Sequence, residues 1–268
     1  MTSPTSSPSP ARTASDLPPS MAEKSFVLAT DLDGTFLGGS ETHRRRLYDW
    51  IEENRASVGL IFVTGRDPKF IAELCEGGVP WPEYVVGDVG TTIASLTNRT
   101  VKPIPELEEE IARVWDDSGD KVKEALADQP GITLQPTDFR YRVSYDMDPS
   151  AFTRETIDLV REMGFDHIVS DNRYFDVLPH GVSKGPSLKR LVGHLGVSPD
   201  RVLCAGDTLN DLSMLESGLP AVAVGGSETA LIERIEQMNQ VYIAREKGAG
   251  GILEAIAALD LHSSVPAP

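Results

Sequence analysis

The feature that most constrains the fold is a recurring unit, a short apolar run that stops at polar residues and is followed by a helical pattern. It begins with FVLAT at 26–30 and returns in VGLIFV, YVVG, RVLCAG and LPAVAVG. A strand half-exposed to water alternates apolar with polar residues, whereas a near-continuous apolar strand is covered on both faces. The intervening helical patterns supply that cover. They occupy 41–55, 68–76, SKGPSLKRLVGHL, 210–217, 228–236 and the closing GGILEAIAAL, with the short strand VYIA before the last. Ser183 is the predicted N-cap of the SKGPSLKRLVGHL helix. Strand and helix in alternation predict a parallel sheet.

Between 94 and 178 the pattern changes. An acidic helical segment, ELEEEIARVWDDSGDKVKEAL, leads to ITLQ and then to FRYRVSYDM, which alternates like a half-exposed strand. A helix near 150–163 follows, then DHIVS and RYFDVLP, joined at Asp171-Asn172 by a predicted hairpin turn. This order describes an α+β unit inserted into the parallel core. The expected organisation is a core of 23–93 and 179–262, an inserted domain of 94–178, and tails at 1–22 and 263–268. The first tail is rich in Ser, Pro and Thr and has no apolar centre, so it reads as disordered and not as a secretory signal.

Composition removes several function classes. A chain of 268 residues, 40% hydrophobic, suffices for a large core plus a smaller domain. A formal net charge of -16 repels nucleic acid and anionic membranes, so neither is an expected partner. It also demands local positive charge wherever a phosphorylated substrate is to bind. No apolar segment approaches membrane-spanning length. The two cysteines, Cys75 and Cys204, are isolated from each other and lack metal-ligand spacing, which points to a reduced, cytoplasmic protein. The five histidines show no ligand spacing either; His180 falls near the expected cleft without an assigned role.

Four short segments follow predicted strands or open a helix: Asp31-Leu32-Asp33-Gly34-Thr35, Thr64-Gly65-Arg66, Lys184-Gly185, and Gly206 through Asp211. The carboxyl ends of parallel strands line one edge of the sheet, so residues distant in sequence meet there. Asp31, Asp33 and Asp207 offer hard oxygen ligands suited to Mg²⁺. Thr64 and Lys184 supply a hydroxyl and a cation for phosphoryl oxygens, and Gly34 and Gly65 allow close backbone approach to an anion. A carboxylate is a competent nucleophile in phosphoryl transfer, and a second one two residues on serves the leaving-group proton. Each segment alone has a plainer reading. DLDGT reads as a turn, Lys184 as a solvated charge and GDTLND as a helix cap. Their joint occurrence at strand ends favours a site.

In this order, DLDGT, TGR, SKG and GDTLND resemble the haloacid-dehalogenase superfamily of Mg²⁺-dependent phosphatases. The insertion resembles that superfamily's type-two cap, and the similarity runs from about residue 24 to 261. VVGDVGTTIA, FRYRVSYDMDP, DNRYFDVLPHGVSKG and GAGGILEAIAALDL are similar to the sucrose-phosphate and mannosylfructose-phosphate phosphatases. The resemblance implies an α/β fold with a Rossmann-like parallel-sheet core and an inserted α+β cap domain.

It also implies roles. Asp31 would be the nucleophile that becomes an aspartyl-phosphate, and Asp33 the general acid and then base. Mg²⁺ would be held by Asp31, the carbonyl of Asp33, Asp207 and Asp211. Thr64, Gly65, Arg66, Lys184 and Asn210 would serve the phosphoryl group, Asn210 and Asp211 partly by orienting Lys184 or metal-bound water. Arg140, Arg142, Tyr145, Asn172, Arg173 and Asp176 are candidate sugar contacts in the cap, with Arg66 and Asp88 bordering the cleft. The expected partner is a small-molecule sugar phosphate, most specifically a disaccharide or other glycoside phosphate, on a monomer or small homo-oligomer. Rival readings are a sugar phosphomutase and a non-catalytic sugar-phosphate sensor.

Overall fold

The structure, a computed structural model, describes residues 20–137, 139–170 and 172–266. Most of the expected first tail and Asp171 of the predicted turn lie outside the described residues. Where the tails are described, they dock. Met21 is buried in the core, and Ser264 accepts a hydrogen bond from Trp50 Nε1 at 3.2 Å.

The first half of the core comprises β1 (Phe26–Thr30), α1 (Glu41–Glu53), β2 (Val58–Val63), α2 (Ile71–Glu76), β3 (Tyr84–Gly87), β4 (Thr92–Thr97) and β5 (Thr100–Pro103). Then come α3 (Pro105–Trp115), α4 (Gly119–Ala125), β6 (Ile132–Leu134), β7 (Val143–Met147), α5 (Arg154–Glu162), β8 (Asp166–Ser170) and β9 (Tyr174–Leu178). The chain finishes with α6 (Lys184–His194), β10 (Val202–Gly206), α7 (Leu212–Leu215), β11 (Ala221–Gly225), α8 (Thr229–Ile235), β12 (Val241–Lys247) and α9 (Ala249–Ala258). Among the described residues, no helix is long and apolar enough to cross a membrane.

The central sheet has the order β12-β11-β10-β1-β2-β3-β4-β5, parallel from β12 to β3. Its apolar runs are explained by burial on both faces. Val27 and Ala29 belong to one hydrophobic cluster, while Phe26 and Leu28 belong to the other on the opposite face. From β1 the chain steps outward through β2 and β3 on one side, and through β10, β11 and β12 on the other. The strand order therefore reverses at β1, and the crevice beyond the carboxyl ends of β1 and β10 is where such sheets bind ligands.

Two features differ from expectation. The boundary placed at residue 94 falls inside β4, and β4 and β5 extend the central sheet antiparallel to β3. Their hairpin turns at Asn98 and Arg99, both at positive φ, a two-residue loop whose twist suits antiparallel strands. Exposure of β5 and of the outer half of β4 removes the buried-strand signature, which is why the sequence changes character before the core sheet ends. The single acidic helical segment is in fact α3 and α4, broken where Asp116 and Asp117 turn left-handed. Leu107 and Ile111 of α3 pack on the core, and its last residue, Trp115, packs in the cap.

The cap sheet runs β6-β7-β9-β8, all antiparallel. Its period-two alternation divides two faces. Val143, Tyr145, Phe175 and Val177 pack with Trp115, Val122 and Val160, leaving Ser144, Asp146, Tyr174 and Asp176 on the opposite face. The β8–β9 turn places Asn172 at positive φ.

Candidate active site

Beyond the carboxyl ends of β1, β2 and β10, under the polar face of the cap sheet, lies a cavity of about 780 Å³. Asp31, Asp33, Thr64, Gly65, Arg66 and Asp207 line its floor. Register explains the convergence: β1 pairs with β10 through Thr30 and Ala205, and Asp31 N donates to Ala205 O at 2.9 Å. Asp31 and Asp207 thus leave adjacent strands side by side.

Gly34 makes the turn after Asp31 feasible. Its φ is +78°, and a Cβ there would lie 2.1 Å from Asp207 Oδ2. Thr35, assigned from sequence only to the turn, donates to Asp207 Oδ1 at 2.5 Å and fixes that carboxylate.

Lys184 is fully buried at the start of α6, behind Asp31 and outside the cavity lining. Its ammonium donates to Asp31 Oδ1 (2.7 Å), Asn210 Oδ1 (2.8 Å) and Asp211 Oδ1 (2.7 Å). Burial alone lowers an ammonium pKa, but Asp211 and Asp31 overrule it and hold Lys184 above its usual value. Burial pushes Asp31 up to about 8 against the pull of Lys184, and Asp207 up to about 6 against the Thr35 hydrogen bond. Ser183 occupies the N-cap position, as expected, yet its side chain makes no capping bond.

Asp211 is committed on both sides. Oδ1 accepts from Lys184, and Oδ2 accepts from the backbone N–H groups of Asp207 (3.0 Å) and Thr208 (3.1 Å). Glu228, which carried no signal in the sequence, steadies the same loop by accepting from Leu209 N at 2.8 Å. Asp33 is exposed and accepts from Arg66 Nη2 at 2.6 Å, with the guanidinium 4.9 Å from the Phe70 ring centroid. Thr64 Oγ1 accepts from Arg66 N at 3.2 Å.

One oxygen each of Asp31, Asp207 and Asp211 lies within 4.8 Å of the others. With all three ionised, the carboxylates against the one ammonium leave two negative charges. All-oxygen donors and that charge fit a hard divalent cation.

The cap candidates divide by face. Arg142 and Asp176 line the cavity, whereas Tyr145 faces the cap core and Arg140 pairs with Glu108 on α3. Asn172 and Arg173 do not line it, and His180 lies outside it, exposed and hydrogen-bonded to Asp166. Ser144, Asp146 and Tyr174 line it as well, though they are not among the sequence candidates; the period-two pattern through FRYRVSYDM and RYFDVLP is the signal for them.

A profile described as sucrose-6F-phosphate phosphohydrolase matches residues 24–260. The chain belongs to the sucrose-6F-phosphate phosphohydrolase family. Members of this haloacid-dehalogenase-like family are phosphoric monoester hydrolases. The chain is 37% identical over 86% of its length to a glucosylglycerol-phosphate synthase of Pseudomonas anguilliseptica, but spans only 30% of that protein. It is 29% identical to the mannosylfructose-phosphate phosphatase of Agrobacterium fabrum, over 86% of this chain and 95% of that one. Among solved structures it is similar to the sucrose-phosphatase of Synechocystis sp. PCC6803, determined with sucrose and phosphate. The TM-score is 0.79 at 26% identity, covering 88% of this chain and 98% of that one.

Proposed function

We propose that the chain hydrolyses the phosphomonoester of a glycoside phosphate, with Asp31 as nucleophile. One observation carries the reading: the Asp31 carboxylate, backed by the buried Lys184, opens into a cavity whose cap wall is rich in hydroxyls and carboxylates. Such a wall suits the hydroxyls of a sugar. Asp31 attacks phosphorus, and the P–O bond to the sugar breaks as the aspartyl-phosphate forms. Asp33 gives its proton to the departing sugar oxygen, then takes one from the water that attacks phosphorus and frees Asp31. Lys184, buried behind Asp31, keeps that carboxylate in place from outside the cavity. Thr64 and the Gly34 and Gly65 backbones offer donors around the phosphoryl oxygens.

Asp31, Asp207 and the Asp33 carbonyl would hold Mg²⁺, which when bound offsets the repulsion between the carboxylates and the incoming phosphate. Asp211, with both oxygens engaged, serves Lys184 and the 207–208 loop in this reading, and enters the cation's surroundings less directly.

The deciding experiment is a panel of sucrose 6-phosphate, mannosylfructose phosphate, glucosylglycerol phosphate and hexose phosphates, assayed for free phosphate and for isomers. Phosphate release from a glycoside phosphate supports the reading. Isomer formation without free phosphate makes the protein a mutase instead. No turnover even of an aryl phosphate with Mg²⁺ makes it a sensor.

Asp33→Asn is expected to lower kcat on sugar phosphates by about 10²–10⁴-fold. Aryl phosphates should suffer much less, because their leaving group needs little protonation. Equal losses on the two substrates count against Asp33 as the acid.

Binding of Mg²⁺ at about 100 times its Kd should raise the Tm by about 5 °C or more. In the metal-free protein, Asp31 and Asp207 have folded pKa values raised above their unfolded ones. Their stabilising contribution is present at low pH and is lost as pH rises toward about 6 for Asp207 and about 8 for Asp31. Protons therefore compete with the cation, and the Mg²⁺-induced shift should be larger at about pH 8 than at about pH 6. A shift that shrinks with rising pH contradicts this assignment.

A further inference from the structure

Arg142 stands where the cap meets the core. It immediately precedes β7 in the cap, and its guanidinium lies between two carboxylates of different origin. Asp176, on β9, is a cap residue 3.5 Å from Nη1, while Asp88, on the loop after β3, is a core residue 3.6 Å from Nη2. Both separations are long for charge-assisted hydrogen bonds, which close to about 2.7–2.9 Å when made. The Phe139 ring covers the guanidinium, its centroid 3.6 Å from Cζ, and the side chain is only 6% exposed.

Among the described residues, Arg142 Nε and Asp88 Oδ1 are both buried without a hydrogen-bond partner. Buried polar groups left unpaired are costly and call for an explanation. The other members of the cluster are well held: Ser144 donates to Asp176 Oδ1, and Thr92 donates to Asp88 Oδ2 at 2.7 Å. Burial raises Asp88 and Asp176 and lowers Arg142, so the cluster is electrostatically under-compensated.

The core end of this contact is unusual. Asp88 and Val89 both have left-handed φ, +52° and +59°, which is strained for a β-branched residue. Three bonds impose that conformation. Asp88 N donates to Arg66 O (3.0 Å), Val89 N to Thr64 O (3.2 Å), and Ser187 Oγ to Gly90 O (2.6 Å). Gly90 also abuts the start of α6 so closely that a Cβ would lie 2.3 Å from the Ser183 carbonyl carbon. Asp88 is therefore rigidly connected to the Thr64-Gly65-Arg66 loop and to the helix that carries Lys184.

We propose that Arg142 is a positioning residue which, through Asp88, couples sugar contact at the cap wall to the phosphate-binding loops of the core. A sugar hydroxyl seated against Asp176 and Arg142 completes the half-made cluster, and the completed cluster holds the cap in register over Asp31. This inference rests on the glycoside-phosphate reading above and adds to it a coupling between Arg142 and Asp88 that it does not contain.

The test compares a glycoside phosphate with an aryl phosphate that has no sugar hydroxyls, using Arg142→Met, Asp88→Asn and the double variant. Each single change should lower the ratio of sugar to aryl kcat/KM by about 30-fold or more, with kcat as well as KM affected. The double variant should lose no more than Arg142→Met alone, because the two act through one contact. Arg142→Lys keeps the charge without the planar fork and should show the same split in a protein of nearly native Tm. Equal losses on both substrates, or losses that multiply in the double variant, overturn the proposal. If the wild-type protein turns over the aryl phosphate but none of the glycoside phosphates, the substrate reading fails first, and that outcome is distinct.

Discussion

Asp31→Asn should lower phosphate release from every phosphomonoester by at least about 10³-fold, with the Tm unchanged or raised. The chemical part follows from the loss of the buried carboxylate that faces the cavity floor and is backed by the Lys184 ammonium. The stability part follows from burial. Asp31 is charged at a cost in this site, and Asn210 and Asp211 still satisfy Lys184 when it is replaced. Asparagine is nearly isosteric and keeps an acceptor toward the ammonium. The measurement is a phosphate-release assay on sugar and aryl phosphates, paired with a thermal melt. Activity within about tenfold of wild type would remove Asp31 as nucleophile.

Lys184→Met has a large effect on both quantities. The ammonium is completely buried and balances Asp31 and Asp211. Removing one partner of a buried ion pair leaves a charge uncompensated and costs about 3–5 kcal/mol. That corresponds to a Tm lowered by about 10 °C in a chain of this size. Turnover should fall at least about 10³-fold, since the carboxylate loses the group that holds it toward phosphorus. Added Mg²⁺ should recover part of the Tm and little of the activity. A variant that melts as wild type would mean that the buried cation is not what stabilises this cluster.

Much of the site was legible because chemistry and topology coincide in the sequence. Asp31, Thr64 and Asp207 each follow an apolar run directly, and parallel strands bring such ends to one edge. Lys184 was harder to read. A lysine at a helix start usually faces solvent and opposes the dipole, and only the three acceptors around it explain its complete burial. Thr35 reads as turn chemistry, and only the fold puts its hydroxyl on Asp207, 172 residues away. The edge hairpin carries no such mark, because β5 and the outer half of β4 are exposed and lack the continuous apolar run of the other strands.

The cap shows the same division more sharply. Alternation in FRYRVSYDM declares two faces without saying which is buried, and Tyr145 turns inward while Ser144 and Asp146 turn to the cavity. Which face is buried depends on what packs against it, here Trp115, Val122 and Val160 from helices elsewhere in the chain.

By itself, the sequence determined the α/β class, the four strand-end and helix-start segments and the residue types that point to phosphoryl transfer. These depend on local periodicity and on covalent order. The tertiary structure alone decided how Lys184 is neutralised, which cap residues face the aspartates, and that Arg142 meets Asp88 across the two sheets. Those are contacts between residues far apart in the chain, and no local pattern encodes the partner that a buried charge will find.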